Sequence, residues 1–202
     1  MTQSQVVRES TDGRLLRSER SRQRIADALY ELIGEGELAP SAQRVADRAG
    51  LGIRTVFRLF TDMEALYATI NERLEADVAP FQRIAPTEGA SLDERLEAMI
   101  AARVGLYDRF GPYLRATHRL RDRSEFLAGE FRKLVLTLRE RLLLWLPELE
   151  RAPAELVEAL DQATSFEAWD RLRIEQRLSR PRAQSTLHFA ARALVAQLEE
   201  PG

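Results

Sequence analysis

Arginine is concentrated near the start of this chain, where it falls into two clusters. Its guanidinium group is permanently charged and can bind a phosphate, or the edge of a guanine, through two parallel hydrogen bonds. Residues 1–60 hold ten arginines against eight acidic residues, whereas the whole chain has a formal net charge of −2, so any nucleic-acid site must be local. The first cluster comprises Arg14, Arg17, Arg20, Arg22 and Arg24, and the second comprises Arg44, Arg48, Arg54 and Arg58.

Catalytic and metal-binding side chains are much scarcer. The 202 residues include no cysteine, and the two histidines, His118 and His188, stand 70 positions apart. This argues against thiol catalysis and against a metal held by Cys or His. The 32 acidic residues offer carboxylate pairs by chance, but no Ser, His and Asp set or phosphate-binding glycine loop accompanies them. We therefore expect no catalytic residues, no metal, no cofactor and no enzymatic activity.

The elements that must position the arginines are helices. Apolar residues recur at intervals of three or four along almost the whole chain, and no alternating β-branched runs appear. This pattern predicts an all-α protein of about nine helices. Residues 1–12 are polar and lack the apolar core of a signal peptide, and no window approaches the ~18 to 20 apolar residues of a membrane span. We expect a soluble cytoplasmic protein that does not associate with membranes.

Start and stop signals locate these helices. Gly34 and Gly36 are expected to end the first helix, residues 86–90 to form a linker, and Gly111-Pro112 to end the helix that a Ser91/Glu94 capping box begins. Besides two short helices between 41 and 60, the predicted helices cover about 17–35, 62–79, 91–111, 113–120, 124–146, 153–178 and 181–198.

Residues 41–60 carry the strongest functional signal. Ser41 is expected to cap one short helix, and Gly50 permits a tight reversal before a second one, which buries Val56 and Phe60. Helices of two turns are too short to be stable alone and must pack on the preceding helix. The result is a helix-turn-helix, whose second helix fits the DNA major groove. The side chains exposed at the start of that helix are Ile53, Arg54 and Thr55.

Several stretches then match the spacing of a known family. They are Arg24-Ile-Ala-Asp-Ala-Leu-Tyr, Val45-Ala-Asp-Arg-Ala-Gly-Leu, Thr55-Val-Phe-Arg-Leu-Phe and Glu64-Ala-Leu, and, more weakly, Ser165-Phe-Glu-Ala-Trp-Asp-Arg-Leu. Over about residues 20–70 the chain resembles the tetracycline-repressor (TetR) family of bacterial regulators. The resemblance implies a flexible basic arm over 1–16, a DNA-binding domain over 17–62 and a ligand-binding and dimerisation domain over 63–202. It also implies a homodimer that binds a palindromic operator of double-stranded DNA and responds to a small molecule.

Carried over position by position, the resemblance also implies DNA contacts. Ser41, Gln43 and Arg44 would lie at the backbone and groove edge, Ile53, Arg54 and Thr55 would approach bases, and Phe57 and Arg58 would meet phosphates. Three residues depart from the family's usual choices. Gly52 replaces a capping Ser or Thr, Phe57 replaces a Tyr whose hydroxyl donates to a phosphate, and Met63 replaces a Lys.

The rest of the chain supplies candidates for an effector cavity and a dimer interface. Pockets in helical bundles are mostly apolar with a few polar groups, and the candidates here are Arg103, Tyr107, Phe110, Tyr113, His118, Phe126, Phe166 and Trp169. Stripes of Leu and Ala allow close helix crossing. In the family such helices form the dimer interface, which here would contain Leu156, Leu160, Ala163, Leu187, Ala191, Leu194 and Leu198.

Each of these residues has a simpler interpretation. The arginines of the first cluster could be a solvated helix surface, Phe57 and most of the aromatic residues could be core, and both stripes could pack within one subunit. The predicted function is a ligand-responsive regulator, a repressor released from its operator by a small molecule. The alternative is a helical ligand-binding or protein-interaction protein whose DNA affinity is weak or lost.

Overall fold

The computed structural model describes residues 3–198, with side chains described from residue 15 onward. Within this range the regular elements are helices, which confirms the all-α prediction. Short 3₁₀ turns follow α5, α6 and α9, and a π-helical turn, Arg171–Glu175, follows α8. The helices are α1 Gln3–Gly34, α2 Ala42–Ala49, α3 Ile53–Leu59, α4 Met63–Gln82, α5 Leu92–Leu120, α6 Glu125–Trp145, α7 Ala154–Ala163, α8 Phe166–Asp170 and α9 Arg180–Val195.

Helix α1 starts earlier than predicted. It begins at Gln3, whereas the sequence analysis placed an arm over 1–16 and a helix start near Arg17. The prediction depended on apolar periodicity, which the polar residues before Arg17 lack, but no proline interrupts the chain there and the backbone continues as helix. Residues 1 and 2 lie outside the described part of the chain, as do 199–202.

Two other predicted boundaries are wrong. Helix α5 runs through Gly111-Pro112, because a proline removes only one helical hydrogen bond and the buried Phe110 and Ala116 on either side favour continued packing. The predicted helix over 153–178 is instead interrupted after Ala163. Ser165 caps the separate helix α8 by accepting a hydrogen bond from the Ala168 amide at 3.2 Å.

The chain forms two compact units. The first contains residues 3–77 and Arg115–Leu127, and is therefore larger than the DNA-binding domain predicted over 17–62. Its core is built where α1 packs on α2 and α3, and its fully buried side chains include Ile25, Leu29, Leu32, Val45, Ala46 and Leu66. The second unit contains Val78–Leu114 and residues 128–198. Its fully buried side chains include Leu96, Ile100, Val104, Leu142, Leu146 and Leu160.

Candidate nucleic-acid interface and ligand cavity

Local hydrogen bonds fix both ends of α2, and with them the start of the loop to α3. At its start, the Ser41 hydroxyl accepts a hydrogen bond from the Arg44 amide at 3.2 Å. At its end, Gly50 has a φ of 63°, and the following Leu51 amide donates to the Ala46 carbonyl at 3.0 Å. Only glycine adopts this left-handed conformation without a steric penalty. The predicted cap and reversal are therefore both confirmed.

Two arginines of the first cluster hold the helix-turn-helix together. Arg24 Nη2 donates to the Ala49 carbonyl at the end of α2 at 2.5 Å. Arg22 Nη1 donates to the Leu59 carbonyl at the end of α3, also at 2.5 Å, and its guanidinium lies 4.5 Å from the centre of the Phe60 ring. A cation at a helix C-terminus satisfies orphan carbonyls and interacts favourably with the helix dipole. These two side chains are thus structural, and sequence reasoning did not separate them from the other arginines.

Helix α3 presents a charged outer surface. Val56 and Phe60 are each 2% exposed, as the spacing predicted, whereas Arg54 and Arg58 are exposed. Phe57 is 55% exposed, so the interpretation of it as a core residue is wrong. The ion pairs described in this unit use Arg44, Arg48 and Arg73, which leaves both α3 guanidinium groups available.

Polar side chains on α2 are more constrained. Arg48 donates to both carboxylate oxygens of Glu35, at 2.9 and 2.6 Å, and this hydrogen bonding holds the pKa of Glu35 below its usual value. Gln43 donates to Asp47 at 2.7 Å, and Arg44 pairs with Glu37 at 3.1 Å. Ile53 and Thr55 at the start of α3 are half-buried.

The N-terminus of α3 and the N-terminus of α4 differ in how they are capped. Gly52 precedes α3 and supplies no side-chain hydrogen bond to it, as expected from the missing hydroxyl. Asp62 precedes α4, and its carboxylate accepts from the Ala65 amide at 2.9 Å. Met63, the first residue of α4, is half-buried.

The second unit contains a cavity between α4, α5 and α6. In this conformation it is narrow, with a volume of about 30 Å³ open to a water-sized molecule. Most of its wall is apolar. The polar side chains in the wall are Gln82, Arg103, Thr137 and Arg141, and the apolar ones include Phe81, Met99, Leu106, Leu134, Leu138 and Trp145.

A buried hydrogen-bond network lies at one side of this cavity. Arg103, only 5% exposed, donates through Nη1 to the Thr164 hydroxyl at 2.7 Å and through Nη2 to the Leu138 carbonyl at 2.7 Å. Its Nη2 also pairs with Asp161 at 3.1 Å. The Tyr107 hydroxyl donates to the Thr164 carbonyl at 3.0 Å, and burial raises the pKa of Tyr107 to about 12. Every buried charge or dipole here has a partner, as a low-dielectric interior requires.

Comparisons with known proteins agree with this architecture. No protein-family model and no curated protein matches the sequence. Three solved structures each match 90% of this chain. A transcriptional regulator from Rhodococcus sp. Rha1 has a TM-score of 0.66 and 20% identity over 99% of its own chain. A TetR transcriptional regulator from Rhodococcus sp. RHA1 has a TM-score of 0.51 and 20% identity over 99% of its chain. A protein assigned to the TetR family from Mesorhizobium loti MAFF303099 has a TM-score of 0.53 and 16% identity over 98%.

The chain has the fold of TetR transcriptional regulators. Within this TetR fold, one of the eight predicted ligand residues, Arg103, lines the described cavity. Four others are buried in the core of the second unit: Tyr107 and Phe166, whose ring centres lie 5.6 Å apart, together with Phe110 and Trp169. Tyr113 is half-buried, and the exposed His118 and half-buried Phe126 belong to the first unit.

Arg141 was missed although its spacing carries a signal. It follows Leu138 by three residues and Leu134 by seven, and it precedes Trp145 by four, so it lies on the apolar face of α6. A charged residue at such a position is expensive to bury unless something compensates it. This signal was visible in the sequence and could have identified Arg141 as a cavity residue.

The predicted dimer residues differ in how far a single chain already buries them. Leu156, Leu160, Leu187 and Ala191 are 0–6% exposed within a single chain, because α7 and α9 pack on each other. Most of their side-chain surface is therefore already covered inside one subunit. Ala163, Leu194 and Leu198 are half-buried. On the outside of α9, Phe189 is 77% exposed, and the exposed residues around it are Arg182, Ser185, Thr186, Arg192 and Ala193.

Within residues 3–198 no helix combines the length and hydropathy needed to cross a membrane. Among the described side chains, no group of three His, Asp or Glu residues is arranged to hold a metal ion.

Proposed function

We propose that this protein is a transcriptional regulator that binds double-stranded DNA through α3. The observation that carries this proposal is the exposure of Arg54 and Arg58 on a helix whose opposite face, Val56 and Phe60, is buried against α1. The clamps from Arg22 and Arg24 support it, since they hold both helices of the motif in place. Readout of base edges requires a recognition helix of well-defined orientation.

The proposed contacts follow from where side chains lie along α2 and α3. Arg54, in the first turn of α3, reads a guanine through its two guanidinium donors, and Thr55 and Ile53 contact neighbouring base edges. Arg58 and Phe57 lie against the sugar-phosphate backbone. On α2, Ser41, Gln43 and Arg44 border the groove, where Arg44 exchanges its pair with Glu37 for a phosphate. The activity is regulation of transcription and not catalysis.

Arg54→Ala should relax base preference at one position in each half-site. A bidentate arginine–guanine pair contributes about 1–3 kcal/mol of discrimination, whereas an arginine on a phosphate contributes almost equally for every sequence. Selection of bound sequences from a random DNA pool by both proteins measures the difference. The control is Arg73→Ala, which removes the same charge from an exposed residue of α4 that pairs with Asp27 at 2.9 Å.

Two outcomes would count against this assignment. If Arg54→Ala and Arg73→Ala select the same sequences as the unmodified protein, Arg54 does not read a base. If the unmodified protein selects no sequence at all, the second candidate function gains support. That candidate is a helical ligand-binding protein with lost DNA affinity, and the uncapped start of α3 and the missing hydroxyl at Phe57 favour it.

Met63→Lys should steepen the salt dependence of DNA binding. Each cation that neutralises a phosphate changes the slope of log affinity against log salt by about 0.9, so a dimer with two new lysines gains about two units. Phe57→Tyr should tighten binding without changing the slope, because a hydroxyl releases no counterion. Fluorescence anisotropy over a range of salt concentrations measures both, with Met63→Gln as the uncharged control. An unchanged slope in Met63→Lys would mean that the start of α4 does not lie against DNA.

We further propose that the regulator is a homodimer that represses its target and is released by a small molecule. The outer face of α9 supports the dimer, since Phe189 is 77% exposed in one chain and its burial against a second copy would be favourable. The cavity lined by Arg103 supports the response to a small molecule. Two recognition helices related by a two-fold axis match a palindromic operator.

A further inference from the structure

The cavity of the second unit carries positive charge without a matching carboxylate. Arg141 donates hydrogen bonds to the carbonyl oxygens of Gln82 and Ile84, at the end of α4 and just beyond it. Carbonyl groups satisfy donors but do not neutralise a charge. The ion pairs described in this unit use other arginines instead, namely Arg95, Arg103, Arg139, Arg180 and Arg192.

The second guanidinium in the wall, that of Arg103, adds to this imbalance. One carboxylate, Asp161, pairs with Arg103, which leaves two cations facing one anion around the cavity. Burial, and then the positive charge of Arg103, lower the pKa of Arg141. Arginine nevertheless stays protonated in proteins. The cavity wall is therefore cationic at neutral pH.

The two arginines differ in the donors that they have left. The Nη atoms of Arg103 already donate to Leu138, Asp161 and, twice, to Thr164. A guanidinium has five N–H donors, and Arg141 uses one at each Nη on the two carbonyls. The Nε donor and one donor on each Nη of Arg141 therefore have no described partner in the protein. Arg103 acts as a fixed charge behind it.

The remaining wall selects for an apolar molecule. Phe81, Met99, Leu106, Leu134 and Trp145 surround the space, and Thr137 adds a hydroxyl. Because the cavity is narrow, a ligand must displace side chains as it enters, and the long, flexible Met99 side chain is suited to move. Ligand entry is thereby coupled to a change in the packing of α4, α5 and α6, from which the cavity is built.

We propose that the effector is an organic anion, whose carboxylate binds Arg141 and whose apolar body lies between Phe81, Leu106 and Leu134. This inference rests on the proposed response to a small molecule. It adds the chemical class of that molecule and the residue that selects it. A neutral apolar compound would leave the positive charge of the cavity uncompensated, and a cation would be repelled by that charge.

The proposal is tested with compounds that share the same apolar part and differ in their head group. One series is decanoate, decanol and decylamine below micelle-forming concentrations, and the other is benzoate, benzyl alcohol and benzylamine. Binding is followed by tryptophan fluorescence, to which the cavity residue Trp145 contributes, with calorimetry as a second readout. In at least one series the carboxylate should bind about tenfold more tightly than the alcohol, and the amine more weakly than both.

Variants then assign the preference to Arg141. Arg141→Gln should remove the tenfold preference for the carboxylate, and Arg141→Lys, which keeps the charge, should retain most of it. Arg192→Gln is the matched control, because Arg192 is exposed and pairs with Asp93 at 2.8 Å on the surface. It should leave the preference unchanged. The head-group comparison on the unmodified protein needs no variant and decides the question even if Arg141→Gln fails to fold.

Several results would overturn the proposal. They are equal affinity for carboxylate and alcohol in both series, no binding of either carboxylate at millimolar concentration, and retention of the preference by Arg141→Gln. The proposal would also be overturned if Arg141→Lys lost the preference for the carboxylate as completely as Arg141→Gln does. Positive charge would then not be the property that selects the ligand. The titrations contain no DNA, so a failure here is distinguishable from a failure of the protein to bind DNA.

Discussion

Arg103→Met is expected to lower the free energy of unfolding by about 3–5 kcal/mol, the usual cost of removing one partner from a buried ion pair. Arg103 is 5% exposed, and its loss leaves Asp161 with an uncompensated charge. The Leu138 and Thr164 carbonyls lose a donor in the same interior. Both tryptophans of the chain, Trp145 and Trp169, lie in this unit. Denaturant unfolding followed by tryptophan fluorescence therefore reports the relevant stability.

A surface pair supplies the control for this experiment. Arg192 and Asp93 are 63% and 57% exposed, so Arg192→Met should change the free energy of unfolding by no more than about 1 kcal/mol. The double variant Arg103→Met with Asp161→Asn should recover part of the loss, because no unpaired charge then remains buried. If Arg103→Met unfolds at the same denaturant concentration as Arg192→Met, the network around Thr164 does not stabilise the unit.

Phe189→Glu is expected to convert a dimer into monomers. In the proposed homodimer, two-fold symmetry brings the outer faces of two α9 helices together, so each glutamate would be buried in the contact and the two would face each other across the axis. Removing an aromatic anchor from the centre of an interface costs at least about 2 kcal/mol, and the buried charges add to this, so dimerisation should weaken by about 100-fold or more. Sedimentation at micromolar protein concentration measures the mass.

The exposure of Phe189 makes this test selective. Since its side chain is 77% exposed within one chain, the substitution should leave the fold of the subunit and its circular dichroism unchanged. Leu136→Glu is the matched control on α6, where the leucine is 52% exposed, and should remain dimeric. A monomeric unmodified protein, or a Phe189→Glu variant that sediments as a dimer, would contradict the assignment of the α9 face.

The parts of this protein that its sequence determined by itself are those that depend on near neighbours. Ser41 caps α2 through a residue three positions away, and Gly50 reverses the chain because it lacks a Cβ. The burial of Val56 and Phe60 follows from helical spacing. These local features were enough to predict the helix-turn-helix, the exposed α3 surface and the all-α class.

The tertiary structure decided which partner each side chain has. Arg22 and Arg24 are arginines of α1, like Arg17 and Arg20. Their hydrogen bonds to the ends of α3 and α2 distinguish them from the other two. On α9 the stripe containing Leu187 was predicted to face a second copy, but α7 covers it and Phe189 remains outside. Apolar spacing defines a face within one helix, whereas the neighbour that covers that face depends on packing between residues far apart in the chain.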